Sequence, residues 1–208
     1  MPKTNQNNIV ALTDEEIIRK YQDSLTASPH NTSKLFALGF IGLPGSGKST
    51  LASKLEERLN LPLSRNDKIR RFLNELGFEG SSPRQDLMKV LAEARTEWYY
   101  KHHTSVIIDA DFSEQRILSE QLAERNKANL LLVRITCSEQ TSIDRITQRL
   151  KHGDSKGHSQ GDLASYYKAV EKHRLYPTPE TFFSINSEQP LDPQIEILFD
   201  KLKANQFL

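Results

Sequence analysis

Between Phe40 and Leu55 the chain reads FIGLPGSGKSTLASKL. Gly42, four intervening residues and then Gly47-Lys48-Ser49 satisfy G-x-x-x-x-G-K-[ST], the spacing of a loop that cradles phosphates. That chemistry needs these residue types. Glycine lets successive backbone N–H groups turn toward an anion with no Cβ in the way. A helix starting at the loop adds its unpaired N–H groups and the positive end of its dipole. Lys48 would place a compact charge on the β- and γ-phosphates, and the Ser49 hydroxyl would bind Mg²⁺. The expected nucleotide-binding set is Gly42, Pro44, Gly45, Ser46, Gly47, Lys48, Ser49 and Thr50, with ATP and Mg²⁺ as the bound species.

A second cluster, SRNDKIRRF at 64–72, follows the short apolar stretch LPLS. Asp67 and Arg70 are three apart and share a helix face. A carboxylate there could take the proton of an attacking hydroxyl while the arginine holds the acceptor. The same aspartate also suits the N-cap of a solvated basic helix; spacing leaves both readings open. Arg65, Lys68, Arg70 and Arg71 together could hold one phosphorylated end. Two acids, Asp109 and Asp111, close the apolar run SVIIDAD at 105–111. Arg145 and Arg149 are four apart, on a different helix face from the stripe Ile143, Ile146 and Leu150. A guanidinium fits the charge spread over a phosphoryl group in transfer. Arg116, seven residues past Asp109, could reach an acceptor.

What is missing narrows the class. A GTPase would carry N-K-x-D after a late strand, and Asn126-Lys127-Ala128-Asn129 lacks the acid. A motor or transporter ATPase would place Asp-Glu after an apolar strand, where this chain has Asp109-Ala110-Asp111. A kinase is left as the favoured class. A nucleotide-dependent binding or switch protein stays open as the alternative.

The elements that must position these residues alternate between apolar runs and helical patterns. Thr13 and Glu16 form a capping box for a helix to Asp23, and a polar linker follows. Strands are expected at 35–41, 61–64, 105–111, 128–137 and 181–186. Between them come helices at 48–59, from 67, from 83 to 101, to 126 with Ser113 as cap, and at 138–150. Ser82, Pro83 and Gln85 give the third of these an N-cap, an N1 proline and a capping box. Its apolar stripe is Leu87, Leu91, Ala94 and Trp98. Residues 151–161 hold three of the nine glycines and no large apolar residue, as a lid would. A helix from Asp162 and a last one from Pro193 to Ala204 complete the pattern. Such alternation implies an α/β three-layer sandwich, α/β/α, with a parallel sheet of about five strands. Ligands on such a sheet sit at the C-terminal strand ends.

At 208 residues the chain suits one sizeable domain, taken as 35–208, preceded by a helical extension and linker at 1–34. Lys plus Arg is 28 against 27 Asp plus Glu, so a net charge of +1 offers no long track for nucleic acid, though a 5′ end could bind. One cysteine, Cys137, excludes an internal disulfide and reads as a buried thiol. The first residues are polar, no run approaches the ~20 apolar residues of a membrane span, and the expected location is the cytoplasm.

The phosphate loop, Asp-x-x-Arg after the second strand, an Asp-ended third strand and a helix bearing Arg145 and Arg149 together resemble the P-loop kinase group. That group includes phage polynucleotide kinase, zeta toxins, chloramphenicol phosphotransferase and gluconate kinase, and the resemblance covers about residues 35–205. It implies a nucleotide-kinase-like fold and phosphoryl transfer from ATP to a hydroxyl of a small molecule, nucleotide or polynucleotide; a toxin-like kinase acting on a sugar nucleotide is a further reading. It places Asp67 as general base, Arg70 at the acceptor, Asp109 near the metal or the acceptor, and Arg145 and Arg149 at the lid edge. It offers no counterpart for the first 34 residues, and no protein partner.

Overall fold

The computed structural model describes residues 12–27, 32–78, 83–151, 162–176 and 179–208, with the side chains of 83–85 and 113–115 outside that set. Five strands form one sheet: β1 (Phe36–Ile41), β2 (Leu63–Arg65), β3 (Val106–Asp111), β4 (Asn129–Thr136) and β5 (Phe183–Asn186). Their order is β2-β3-β1-β4-β5, and every pairing is parallel. The helices are α1 (Asp14–Asp23), α2 (Lys48–Leu59), α3 (Asn66–Glu75), α4 (Pro83–Lys101), α5 (Phe112–Arg125), α6 (Glu139–Lys151), α7 (Leu163–Leu175) and α8 (Leu191–Ala204).

All six residues of β1 are buried because helices cover both sheet faces. Phe36, Leu38 and Phe40 pack with Leu51 and Leu55 of α2 and Ile195 and Leu198 of α8. Ala37 and Ile41 point the other way, toward Tyr99 and Tyr100 of α4 and Phe112 and Leu122 of α5. A Cβ at Gly39 would lie 2.7 Å from the Phe112 ring, so that ring fills the space over the middle of β1. The central strand thus meets the expected three layers, and its C-terminal end opens between β3 and β4.

Three local expectations differ. The helix of the N-terminal segment starts on its Thr13–Glu16 capping box but does not stand apart. Its Ile17 and Tyr21 are 1% and 3% exposed and close a third cluster with Ile69 and Leu73 of α3 and Leu87 and Leu91 of α4. An amphipathic helix of ten residues gains its stability from such packing. Ser113 falls inside the first turn of α5, because the helix already begins at Phe112. Cys137 is half-buried, with Sγ 3.0 Å from Ser142 Oγ, since β4 ends one residue earlier and releases it from the core. The Ser82 cap and the 152–161 part of the expected lid lie outside the described residues. Among the described residues no helix is long and apolar enough to cross a membrane.

Candidate active site

β1 ends at Ile41, and the next residues turn sharply into α2, whose first residue is Lys48. Gly45 and Gly47 make that turn with φ of +82° and +101°, values that side-chain-bearing residues rarely adopt. Gly45 is also pressed against α6: a Cβ there would sit 2.6 Å from the Ser142 carbonyl oxygen. Gly45→Ala is therefore expected to lose about 1–3 kcal/mol from backbone strain alone. The clash adds to it, and both should appear as a lowered Tm and weakened ADP binding in calorimetry. Gly47, the N-cap of α2, gives the first turn no side-chain cap, so the N–H groups of that turn remain for a ligand. Pro44 lies in the turn, Ser46 is buried with an unpartnered hydroxyl, and Thr50 is exposed on the first turn of α2.

Lys48 reaches back over the loop and donates to the Gly42 carbonyl at 2.5 Å and the Leu43 carbonyl at 3.0 Å. Burial pushes its ammonium pKa down; the nearby Asp111 and Asp109 carboxylates oppose that shift. The next residue, Ser49, donates its hydroxyl to Asp109 Oδ1 at 3.3 Å. Asp109 stands at the end of β3 where the β1 register passes from Gly39↔Ile108 to Phe40↔Asp111, a shift that leaves Asp109 and Ala110 unmatched on β1. On its other side Arg65 Nε lies 3.7 Å away. Burial raises the Asp109 pKa, and the Ser49 hydrogen bond, Arg65 and Lys48 work against the rise. A desolvated carboxylate paired with a hydroxyl suits a hard cation, and Mg²⁺ keeps several waters and needs only one or two protein oxygens beside substrate phosphates.

Asp67 and Arg70 occupy the first turns of α3 and form an ion pair with each other. Asp67 does not act as cap of this helix: α3 starts at Asn66, with Arg65 as N-cap. Asp67 is close enough to Asp109 to add to the rise of its pKa. Arg116 pairs along its own helix with Glu120 at 3.3 Å, and no described contact brings it to the phosphate loop.

The two arginines of α6 part company. Arg145 donates from Nη1 to the Gly45 carbonyl at 3.2 Å and the Ser187 hydroxyl at 2.8 Å, and from Nη2 to the Ser187 carbonyl at 2.9 Å. It ties the phosphate loop to the turn after β5. Among the described residues Arg149 makes one bond, from Nε to the Arg145 carbonyl at 3.3 Å. Burial and the neighbouring Arg145 guanidinium lower its pKa, and its charge is felt at Lys48. Of the expected stripe Ile146 is buried, but Leu150 is 58% exposed, and Ser142 is buried in addition.

Three residues of this region carried no functional reading in the sequence. His173 of α7 lies 2.9 Å from Asp111 Oδ2 and anchors that helix at the strand end beside Lys48. Glu188 accepts from Ser138 at 2.7 Å and Thr141 at 2.6 Å, fastening the turn after β5 to the start of α6. Arg95 is buried on α4 beside Asn66. Only Arg95 had a local signal: it falls four residues after Leu91, within the apolar stripe.

A family model described as an AAA domain matches residues 38–170. No curated protein matches the sequence. Solved structures match in fold. A candidate kinase from Chloroflexus aurantiacus superposes with a TM-score of 0.59 at 14% identity, covering 85% of this chain and 99% of its own. The Mycobacterium tuberculosis APS kinase, in complex with AMPPNP and APS, gives 0.54 at 19% identity, covering 82% and 98%. A gluconokinase from Sinorhizobium meliloti 1021 gives 0.54 at 17%, covering 85% and 95%. At these identities the likeness is one of fold.

Proposed function

The chain belongs to the AAA domain family, and on that premise we propose that it is an ATP-dependent kinase that moves the γ-phosphoryl group to a hydroxyl. The observation that carries the reading is the convergence at one strand end of Lys48, the Ser49–Asp109 pair and, at the next strand end, Asp67 with Arg70. A binding protein needs the first of these; an acid–base group beside it is what transfer adds. Kinase structures of the same fold support the class, and the group containing polynucleotide kinase and zeta toxins is the subgroup that the motifs favour.

In this reading the loop Gly42–Thr50 binds the phosphates through its backbone N–H groups, and Lys48 leaves the Gly42 and Leu43 carbonyls to meet them. Ser49 and Asp109 would hold Mg²⁺, which when bound supplies charge neutralisation on the β- and γ-phosphates. Asp67 accepts the proton of the acceptor hydroxyl as its oxygen bonds to phosphorus and ADP departs. Arg70 holds Asp67 in place and faces the acceptor. Arg149 carries a charge not tied to the loop and can follow the moving phosphoryl group. Arg145 instead fixes the loop that binds the nucleotide.

The test is ATP consumption by the purified chain against sugars, nucleosides, 5′-hydroxyl oligonucleotides, sugar nucleotides and aminoglycosides, followed by Asp67→Asn with whichever acceptor turns over. Loss of the base is expected to slow transfer by ~10² to 10⁴ while ADP affinity holds. A parallel loss of ADP affinity would move Asp67 to the metal. Failure of every acceptor would leave a nucleotide-dependent binding protein.

A further inference from the structure

Arg95 is 2% exposed, yet its partners are all neutral oxygens. It donates to the Arg65 carbonyl at 2.8 Å and reaches the Tyr21 hydroxyl and Asn66 Oδ1 at 3.4 Å each. Its Nε is buried and has no hydrogen-bond partner, and among the described residues no carboxylate pairs with it. A guanidinium stays charged, so among the described residues a desolvated positive charge stands with no carboxylate in contact with it. Buried charges are ordinarily paired, because an unpaired one loses its hydration for nothing in return.

Beside Arg95 lies a cavity of about 250 Å³, bounded by the end of α1, one face of α3, α4 and the free edge of β2. Ser64 lines it too; this serine is 2% exposed and its hydroxyl is likewise without a partner. Lys68 and Arg71 line its exposed side, with Glu75 as the one carboxylate among the described residues. Tyr21 and Phe72 add apolar wall, their rings 5.0 Å apart. The helix α3 therefore divides its charges. Asp67 and Arg70 pair on the face nearer the phosphate loop, whereas Lys68 and Arg71 line the cavity.

We propose that this cavity is a second binding site, separate from the phosphate loop, for a small molecule bearing an oxyanion. The oxyanion answers the uncompensated Arg95 charge in the cavity wall, and Lys68 and Arg71 close over it from the solvent side. The volume falls just below the roughly 300–1,000 Å³ of sites for drug-sized ligands, so the occupant is a free anion or a small metabolite. Because Arg95 also holds the Arg65 carbonyl, and the Arg65 side chain lies beside Asp109, the cavity abuts the strand end that carries the magnesium-side residues.

The test is calorimetric titration of the full chain, saturated with ADP to keep the phosphate loop occupied, at fixed ionic strength. Inorganic phosphate, glycerol 3-phosphate and citrate are the three probes. Saturable binding of at least one is expected, and the pattern separates a free anion from a phosphorylated or a carboxylated metabolite. Lys68→Ala/Arg71→Ala should weaken that binding about tenfold or more, as loss of charged hydrogen bonds does. Arg95→Gln should remove it, with ADP affinity unchanged in both variants. Arg95 is buried, so the exposed Lys68/Arg71 pair decides the matter if Arg95→Gln does not fold. Absence of saturable binding by all three probes, or binding that the Lys68/Arg71 variant retains in full, overturns the proposal.

Discussion

Lys48→Met is expected to abolish ATP turnover, a loss of more than ~10³, and at the same time to leave the ligand-free protein at least as stable as its parent. The first effect follows from position. Lys48 is the cation at the entrance of the phosphate loop, and removal of one preorganised donor from developing charge already costs ~10² to 10³ in rate. Here the binding of the phosphates is lost as well. The second effect follows from burial. The Lys48 pKa is lowered chiefly by desolvation. A depressed amine pKa means that the unfolded chain binds the proton more tightly than the folded one. Its charge thus opposes folding below the folded pKa, and stability gains as pH rises from that value toward the ordinary 10.5. Methionine keeps much of the shape and removes the charge, a change that is often neutral or stabilising. Steady-state ATP consumption and thermal unfolding check the two effects together. A methionine variant that turns over ATP at the parent rate would remove Lys48 from the chemistry. One that unfolds at a much lower temperature would make its two carbonyl bonds structural.

Arg149→Ala is the second large effect, expected at ~10³ to 10⁵ in kcat, the range for an arginine that follows phosphoryl transfer. Its guanidinium, Arg145 and Lys48 bring three positive charges to one small region, and an anion entering there relieves their repulsion. Among the described residues Arg149 has a single weak backbone bond to give up. Arg145→Ala should behave differently. It removes the bonds to Gly45 and Ser187, so the loop loosens and KM for ATP rises more than kcat falls. Comparing the two variants in the same assay, with ADP affinities measured in parallel, separates transfer from positioning. Equal and small effects on kcat from both would return the pair to a solvated helix face.

The features written in short stretches of sequence are the ones the structure reproduces most closely. The phosphate loop needs eight consecutive positions, and α2 starts at Lys48 and ends at Leu59 as its pattern implies. The Thr13–Glu16 capping box starts α1 because both of its partners lie within one turn. Five apolar runs became five parallel strands, since alternation with helices leaves a covered parallel sheet as the packing that buries both faces.

What tertiary structure decided lies in contacts between distant residues. Arg145 and Arg149 look alike in sequence, and only the turn after β5, 42 residues on, makes Arg145 an anchor. His173 meets Asp111 across 62 residues. Arg95 owes its burial to three other elements, since α1 and α3 pack against α4 and the end of β2 lends its carbonyl. Periodicity reports which face of an element turns inward, because that depends on residues three or four apart. It carries nothing about which element arrives to cover that face, and so nothing about whether a charge there finds a partner, a carbonyl or a cavity.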